Sequence, residues 1–222
     1  MIKSFDQLVC LSGLPRTGST LLSALLSQNP AIHAEGNSGL CQIMWDTQHS
    51  CNHSAKEELT ANSRLHSVND IVSQLPHSYY KGNSPQERIV VDKCRTWTLP
   101  NNLKMVDEFV GKDTKVVVLV RPIIEIVRSF VKVLKVNGRY TKEEERELFA
   151  PASDPLMRPL VALFEAQKDT SGRFLFVSYK SLVEDTAQTL KGIYNFCGWE
   201  QFIHNTNNVK PKYPENDSAY YL

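Results

Sequence analysis

A chain of 222 residues, 41% of them hydrophobic, is long enough for one sizeable core, and a single α/β domain is the natural expectation. Its 25 lysines and arginines stand against 24 aspartates and glutamates, a net charge of +1, which excludes a broad electrostatic field for nucleic acid or anionic membrane. Any positive charge that matters is therefore placed locally.

The first element is a short apolar run (Leu8, Val9, Cys10, Leu11) that meets Gly13-Leu-Pro-Arg-Thr-Gly18-Ser-Thr, after which Leu21, Leu22, Leu25 and Leu26 recur at helical spacing. The pattern predicts strand, tight loop and helix. Such a loop aims backbone N–H groups and the positive end of a helix at an anion; glycine allows close approach, and Ser19 and Thr20 add hydroxyl donors. The triphosphate-binding version reads G-x-x-x-x-G-K-[ST]. Here Gly13 and Gly18 keep that spacing, Ser19 stands where the lysine belongs, and the positive charge has moved to Arg16. The missing lysine argues against chemistry on the γ-phosphate of ATP or GTP. It leaves an anion held by an arginine, or else an ordinary strand-to-helix turn.

Ala31-Ile-His-Ala-Glu35-Gly36 reads as a short second strand ending in a glycine turn. A carboxylate at that end can face the crevice where open α/β sheets bind ligand, so Glu35 is either a general base or a solvated turn residue. His33 shares its strand face and is either a substitute base or a structural histidine. Residues 39–80 are polar and helix-like. Leu40, Ile43 and Met44 recur on one face, and a second segment runs from Lys56 through Ile71, Val72 and Leu75 until Pro76 ends it. Trp45, His49, His53, Tyr79 and Tyr80 either line a substrate cleft or belong to a surface helix pair. His49 and His53 can share a helix face, yet without a third ligand nearby no metal site is expected.

Arg88-Ile-Val-Val-Asp92-Lys93-Cys reads as a buried strand running out into charge, with Lys93 a functional cation, a solvated lysine or the salt-bridge partner of Asp92. Lys115-Val-Val-Val-Leu-Val-Arg121-Pro122 suits a central parallel strand buried on both faces. Pro122 sits well at the start of the next helix, whose apolar stripe is Ile123, Ile126, Val127, Phe130 and Leu134, with Ser129 on the polar border eight residues after Arg121. The guanidinium fork of Arg121 and the Ser129 hydroxyl together suit a terminal phosphate. A charged connector over 137–155 precedes a helix from 156 to 170, a break at Gly172, a buried strand ending near Tyr179, and a helix from 186 to 197 that closes at Gly198-Trp199. The tail from 204 is polar.

Pro15-Arg-Thr-Gly-Ser-Thr20, followed by Leu-Leu and Asn29-Pro30, resembles the 5′-phosphosulfate loop of sulfotransferases, in the form found in the protein-tyrosine and carbohydrate branches. The resemblance implies a single P-loop-like α/β domain over 1–203, with a central parallel sheet flanked by helices and 39–80 as a variable acceptor region, followed by the tail over 204–222. It also implies the donor 3′-phosphoadenosine 5′-phosphosulfate (PAPS), with adenosine 3′,5′-bisphosphate as product and no metal. On that resemblance Arg16, Thr17, Gly18, Ser19 and Thr20 hold the 5′-phosphosulfate, Arg121 and Ser129 the 3′-phosphate, and Tyr179 the adenosine. Arg16, Glu35 and Lys93 would be the catalytic group, with Glu35 as base and Lys93 supporting the departing phosphate oxygen, because charge accumulates there as the S–O bond breaks. The implied reaction is sulfuryl transfer to a hydroxyl of a peptide tyrosine, a sugar or a small molecule.

This chain departs from the family pattern in three places: Pro122 follows Arg121 directly, Lys180 replaces a usual glutamate, and the tail offers Val209-Lys-Pro-Lys212 without a glycine as its only closing loop. A nucleotide kinase or NTPase with a degenerate loop, and an inactive nucleotide-binding protein, remain as alternatives. Cys10, Cys41, Cys51, Cys94 and Cys197 are odd in number and scattered, which suits reduced core thiols. With no leader-like h-region and no run of ~20 apolar residues, the chain is expected in the cytoplasm. The expected partners are a hydroxyl-bearing acceptor and at most a second copy in a homodimer, with no nucleic acid and no membrane.

Overall fold

The protein is described by a computed structural model covering residues 3–138, 140–147, 149–150 and 156–214. Five strands, β1 (Gln7–Gly13), β2 (Ile32–Asn37), β3 (Ile89–Lys93), β4 (Val116–Val120) and β5 (Phe174–Ser178), form one sheet in the order β2-β3-β1-β4-β5. Every pairing is parallel, with Cys10 opposite Asp92 on one side and Val116 on the other. The valine-rich β3 and β4 are the kind of strand that a parallel sheet covered on both faces requires.

Side chains alternate along each strand, so the sheet divides its apolar residues between two layers. Leu8, Cys10, Val90, Val116 and Val118 face helices α2 (Leu40–Asn52), α4 (Ser67–Tyr79), α5 (Pro100–Phe109), α6 (Ile123–Val136) and α8 (Met157–Ala166). Val9, Leu11, Val91, Val117 and Leu119 face α1 (Ser19–Leu26), α9 (Tyr179–Glu184) and α10 (Thr186–Cys197). The short helix α3 (Lys56–Ala61) packs Leu59 against the first of these layers, and among the described residues the short helix α7 (Lys142–Glu147) contributes to neither. The strand order turns at β1, with β3 on one side and β4 on the other, and at such a switch point the carboxyl ends of the strands open a crevice.

Three local expectations are corrected. Pro76 does not end its helix: α4 continues to Tyr79, because Pro76 is buried and its own carbonyl still accepts from Tyr80 N–H at 3.1 Å. The segment expected from Lys56 to Leu75 is two helices, broken where Ser63 takes a left-handed φ of 55°. Tyr179 opens α9 instead of ending a strand, and Ser178 caps that helix by accepting from Ser181 N–H. Among the described residues no helix is long and apolar enough to cross a membrane. All five cysteines are free thiols.

Candidate functional site

The loop between β1 and α1 is fixed by two glycines and one strained arginine. Gly13 has φ +135°, and a Cβ there would stand 2.4 Å from the Leu119 carbonyl oxygen of β4, so the strand end tolerates only glycine. Gly18 has φ +91° and caps α1, with the Tyr179 ring where a Cβ would fall, 2.8 Å away. No side chain caps that helix and no acidic residue sits in its first turn, so its positive end is left for an anion. Between the glycines the Thr17 hydroxyl, fully buried, donates to the Leu14 carbonyl at 2.7 Å and holds the loop from inside. Its side chain is thus a brace, and only its backbone can meet a ligand. Ser19 and Thr20 form the first turn of α1, Thr20 exposed and Ser19 half-buried.

Arg16 holds a left-handed φ of 66°, a conformation that costs a non-glycine residue on the order of 1 kcal/mol. Two contacts sustain it. Its Nε donates to Ser129 Oγ at 3.0 Å, and its carbonyl accepts from Arg121 Nη1 at 3.0 Å. Arg121, delivered at the end of β4, also donates from Nε to Glu125 Oε2 at 2.9 Å and stacks its guanidinium 4.1 Å over the Tyr179 ring. Arg16, Gly18, Arg121, Ser129 and Tyr179, spread over 164 positions of sequence, therefore meet at the carboxyl ends of β1, β4 and β5. The convergence of two guanidinium groups, a hydroxyl, an aromatic ring and an open helix end fits a nucleotide that carries more than one anionic group.

Glu35 and Lys93 lie at the ends of β2 and β3 and line one narrow cleft with Thr20, Ser23 and the C-terminal residues Pro211, Lys212 and Tyr213. Lys93 is 5% exposed, and the Glu35 side chain is 33% exposed. Lys93 and Asp92 are neighbours on β3, so their side chains leave on opposite sides of the sheet. Asp92 is fully buried and accepts from the Ser38 hydroxyl and the Tyr80 hydroxyl at 2.6 Å each and from Trp97 Nε1 at 2.7 Å. Burial pushes its pKa up, and these three donors oppose the shift without cancelling it. It ties the loop after β2, the end of α4 and the turn after β3 to one point, which sets the strand ends that carry Glu35 and Lys93.

Behind Glu35 stands a chain of charged groups. His33 Nε2 lies 3.3 Å from Glu35 Oε2, and His33 Nδ1 lies 3.0 Å from Glu87 Oε2. Glu87 is buried and accepts from Lys212 Nζ at 2.6 Å, from the Tyr213 hydroxyl and from Ser84 N–H at 3.3 Å. Burial alone would raise the Glu87 pKa, but Lys212, Tyr213 and His33 pull it down to about 2. For His33 burial works against the charge, and Glu35 and Glu87 outweigh it, so its pKa is raised. Glu87 and Tyr213 are functional candidates that the sequence did not reveal, and Lys212 was legible only as part of a candidate closing loop; a glutamate in the turn before a strand carries no periodic signal, and its partners are 125 and 126 residues away.

A second cleft of about 800 Å³ opens beside the end of β3, lined by Ser38, Gln42, Trp45, Arg95, Asn101 and Arg158 among others. Its size matches a small acceptor or one side chain of a larger one. Of the aromatic and histidine residues in 39–80, Trp45 lines this cleft, Tyr80 is committed to Asp92, and Tyr79 accepts from Gly39 N–H at 3.1 Å. The His49 and His53 rings lie 4.2 Å apart and tilted by 38°, and among the described residues no cluster of three metal-type ligands exists.

Residues 9–203 match the sequence model of the Sulfotransferase family. A Caenorhabditis briggsae protein named "Putative protein-tyrosine sulfotransferase" is 19% identical over 229 residues, which covers 99% of this chain and 76% of that protein. Among solved structures, a sulfotransferase from Alicyclobacillus acidocaldarius superposes with a TM-score of 0.60 at 15% identity, covering 98% of this chain and 89% of its own. The sulfotransferase domain from the curacin biosynthetic pathway gives 0.57 at 19% identity, covering 89% and 75%. At these identities the superpositions establish the fold, and the family match spans nearly the whole of it. The chain belongs to the sulfotransferase family.

Proposed function

We propose that the protein transfers a sulfuryl group from PAPS to an acceptor hydroxyl. The observation that carries this reading is the cluster of Arg16, Arg121, Ser129 and Tyr179 against the Gly18 end of α1. The fit rests on the packing and charge there: Gly18, with no Cβ, lets the Tyr179 ring close against the loop, the helix end is uncapped, and the guanidinium groups of Arg16 and Arg121 meet beside it. The first turn of α1 and Arg16 would hold the 5′-phosphosulfate, Arg121 and Ser129 the 3′-phosphate, and the Tyr179 ring the adenosine. The donor supplies an activated sulfuryl group on a phosphate leaving oxygen. Glu35 takes the proton of the acceptor hydroxyl as its oxygen bonds to sulfur, and Lys93 offsets the charge left on the bridging oxygen. The cleft beside Trp45 receives the acceptor, and the name of the nematode relative makes a peptide tyrosine the first class to try. Five free thiols fit a reducing compartment such as the cytoplasm.

The test is transfer of radiolabelled sulfuryl from PAPS to three acceptors, a tyrosyl peptide, an amino-sugar oligosaccharide and naphthol, by wild type and Glu35→Gln. Transfer to one of them that falls in the variant supports the reading. Full donor binding with no transfer to any of the three would make the chain a nucleotide-binding protein instead.

A further inference from the structure

His33 is 4% exposed, yet both of its ring nitrogens face carboxylates, Nδ1 toward Glu87 and Nε2 toward Glu35. A neutral imidazole has one N–H and one lone pair, so in that state one nitrogen would present a lone pair to a carboxylate oxygen. Water cannot relieve the conflict, because the ring is walled by Tyr80, 5.4 Å away edge-on, and by Tyr213, 4.5 Å away. Nδ1 makes a hydrogen bond with Glu87, whereas Nε2 makes none and meets Glu35 only as an ion pair, so it is the charge of the imidazolium that makes both contacts attractive. The two carboxylates differ in a way that an ordinary core histidine does not need. Glu87 is buried and anchored by Lys212, Tyr213 and the Ser84 N–H, whereas Glu35 is one-third exposed and lines the cleft with Lys93 and Thr20.

We propose that His33 is a positioning residue for Glu35: clamped as an imidazolium between Glu35 and Glu87, it holds one oxygen of the Glu35 carboxylate and leaves the other for the acceptor proton. This rests on the reading of Glu35 as the base. Glu87 has a second part in the arrangement. By sharing the imidazolium charge it keeps His33 from drawing too strongly on Glu35, which must stay basic enough to accept a proton. Lys212, Tyr213 and Tyr80 are the other titratable groups facing this ring, and Asp92 lies behind Tyr80. As pH rises, His33 loses its Nε2 proton, the contact with Glu35 turns repulsive and the carboxylate is released. Activity therefore has an alkaline limb that belongs to His33.

Two measurements test this. In ring-nitrogen NMR of the full chain, His33 is expected to be doubly protonated at about pH 6.5, where half of a free histidine is neutral, and Glu35→Gln and Glu87→Gln should each lower the pH at which it titrates. In the transfer assay with the same three acceptors, His33→Leu should lower kcat about 100-fold with unchanged affinity for adenosine 3′,5′-bisphosphate, the scale of a base misplaced by about 1 Å. His33→Gln puts a non-titrating amide donor where Nε2 stands. It should keep kcat within about tenfold of wild type and lose the alkaline limb, a rescue that a merely structural histidine would not show. A neutral ring in an active enzyme, equal losses in the two variants, or an alkaline limb that survives in His33→Gln overturns the clamp while leaving the sulfotransferase reading intact. A charged ring coupled to Glu35 in a protein that transfers to none of the acceptors overturns Glu35 as base, and with it the part played by His33.

Discussion

Arg16 and Ser129, 113 residues apart, are joined by a hydrogen bond from Nε to Oγ of 3.0 Å. It connects the loop after β1 to the second turn of α6, and Arg121 reinforces the link by donating to the Arg16 carbonyl. The loop is thus organised before any ligand arrives. Ser129→Ala should weaken binding of adenosine 3′,5′-bisphosphate about fivefold, the scale of one neutral hydrogen bond. It should leave adenosine 5′-phosphate affinity nearly unchanged, and calorimetry of the two ligands checks the difference.

Gly18 meets two constraints at once, a left-handed φ and the Tyr179 ring. Gly18→Ala should lower stability by about 1–3 kcal/mol, from backbone strain together with a clash against a packed ring. Because the same shift moves Tyr179 away from Arg121, donor binding should fall with it. Thermal denaturation and nucleotide titration of the variant read the two effects separately.

Lys93 and Glu35 line one cleft, and the proposed chemistry uses them at different ends of the reacting group. Glu35→Gln removes the proton acceptor and should lower kcat by about 10²–10⁴ with donor affinity retained. Lys93→Met keeps the buried stem and removes the charge, and it should lower kcat by a comparable factor of about 10²–10³. Equal kcat in wild type and either variant would remove that residue from the chemistry.

The Glu87 cluster gives stability a pH window. Glu87 is held at about 2, so its contribution is complete above the ordinary carboxylate range near 4.5 and is lost as pH falls toward 2. The pKa of His33 is raised, so its contribution is complete below about 6.5 and is lost as pH rises through the raised value. Denaturant midpoints should accordingly be highest between about pH 5 and 6.5. Glu87→Ala should lower stability near neutrality, because it removes the shared partner of His33, Lys212 and Tyr213, and should flatten the profile.

Much of this architecture was legible because the strands are short apolar runs bounded by glycine or charge. The loop glycines, Arg121 at the end of β4 and Ser129 on α6 were readable for the same reason, since local spacing relative to a strand end fixes which way they face. Pro76 was misread because propensity yields to tertiary packing: a proline on a buried helix face loses one hydrogen bond and keeps its contacts. The Asp92 and Glu87 networks were opaque for a different reason. A buried carboxylate is recognisable in sequence only as an interruption, and its donors come from positions with no periodic relation to it: Ser38 and Tyr80 for one, Lys212 and Tyr213 for the other. In the tail, Lys212 and Tyr213 secure Glu87 behind the candidate base.

The proposed function stands on Arg16, Arg121, Ser129 and Tyr179 forming a site for a nucleotide bearing both 5′ and 3′ anionic groups. Calorimetric titration with adenosine 3′,5′-bisphosphate, adenosine 5′-phosphate and ATP, on wild type and Arg121→Ala, tests it most directly. The bisphosphate should be preferred, and that preference should drop about 10- to 100-fold in Arg121→Ala, the value of a charge-assisted contact to phosphate. No binding, or a preference for ATP that Arg121→Ala leaves untouched, would contradict it and reduce the first loop to a generic anion cradle.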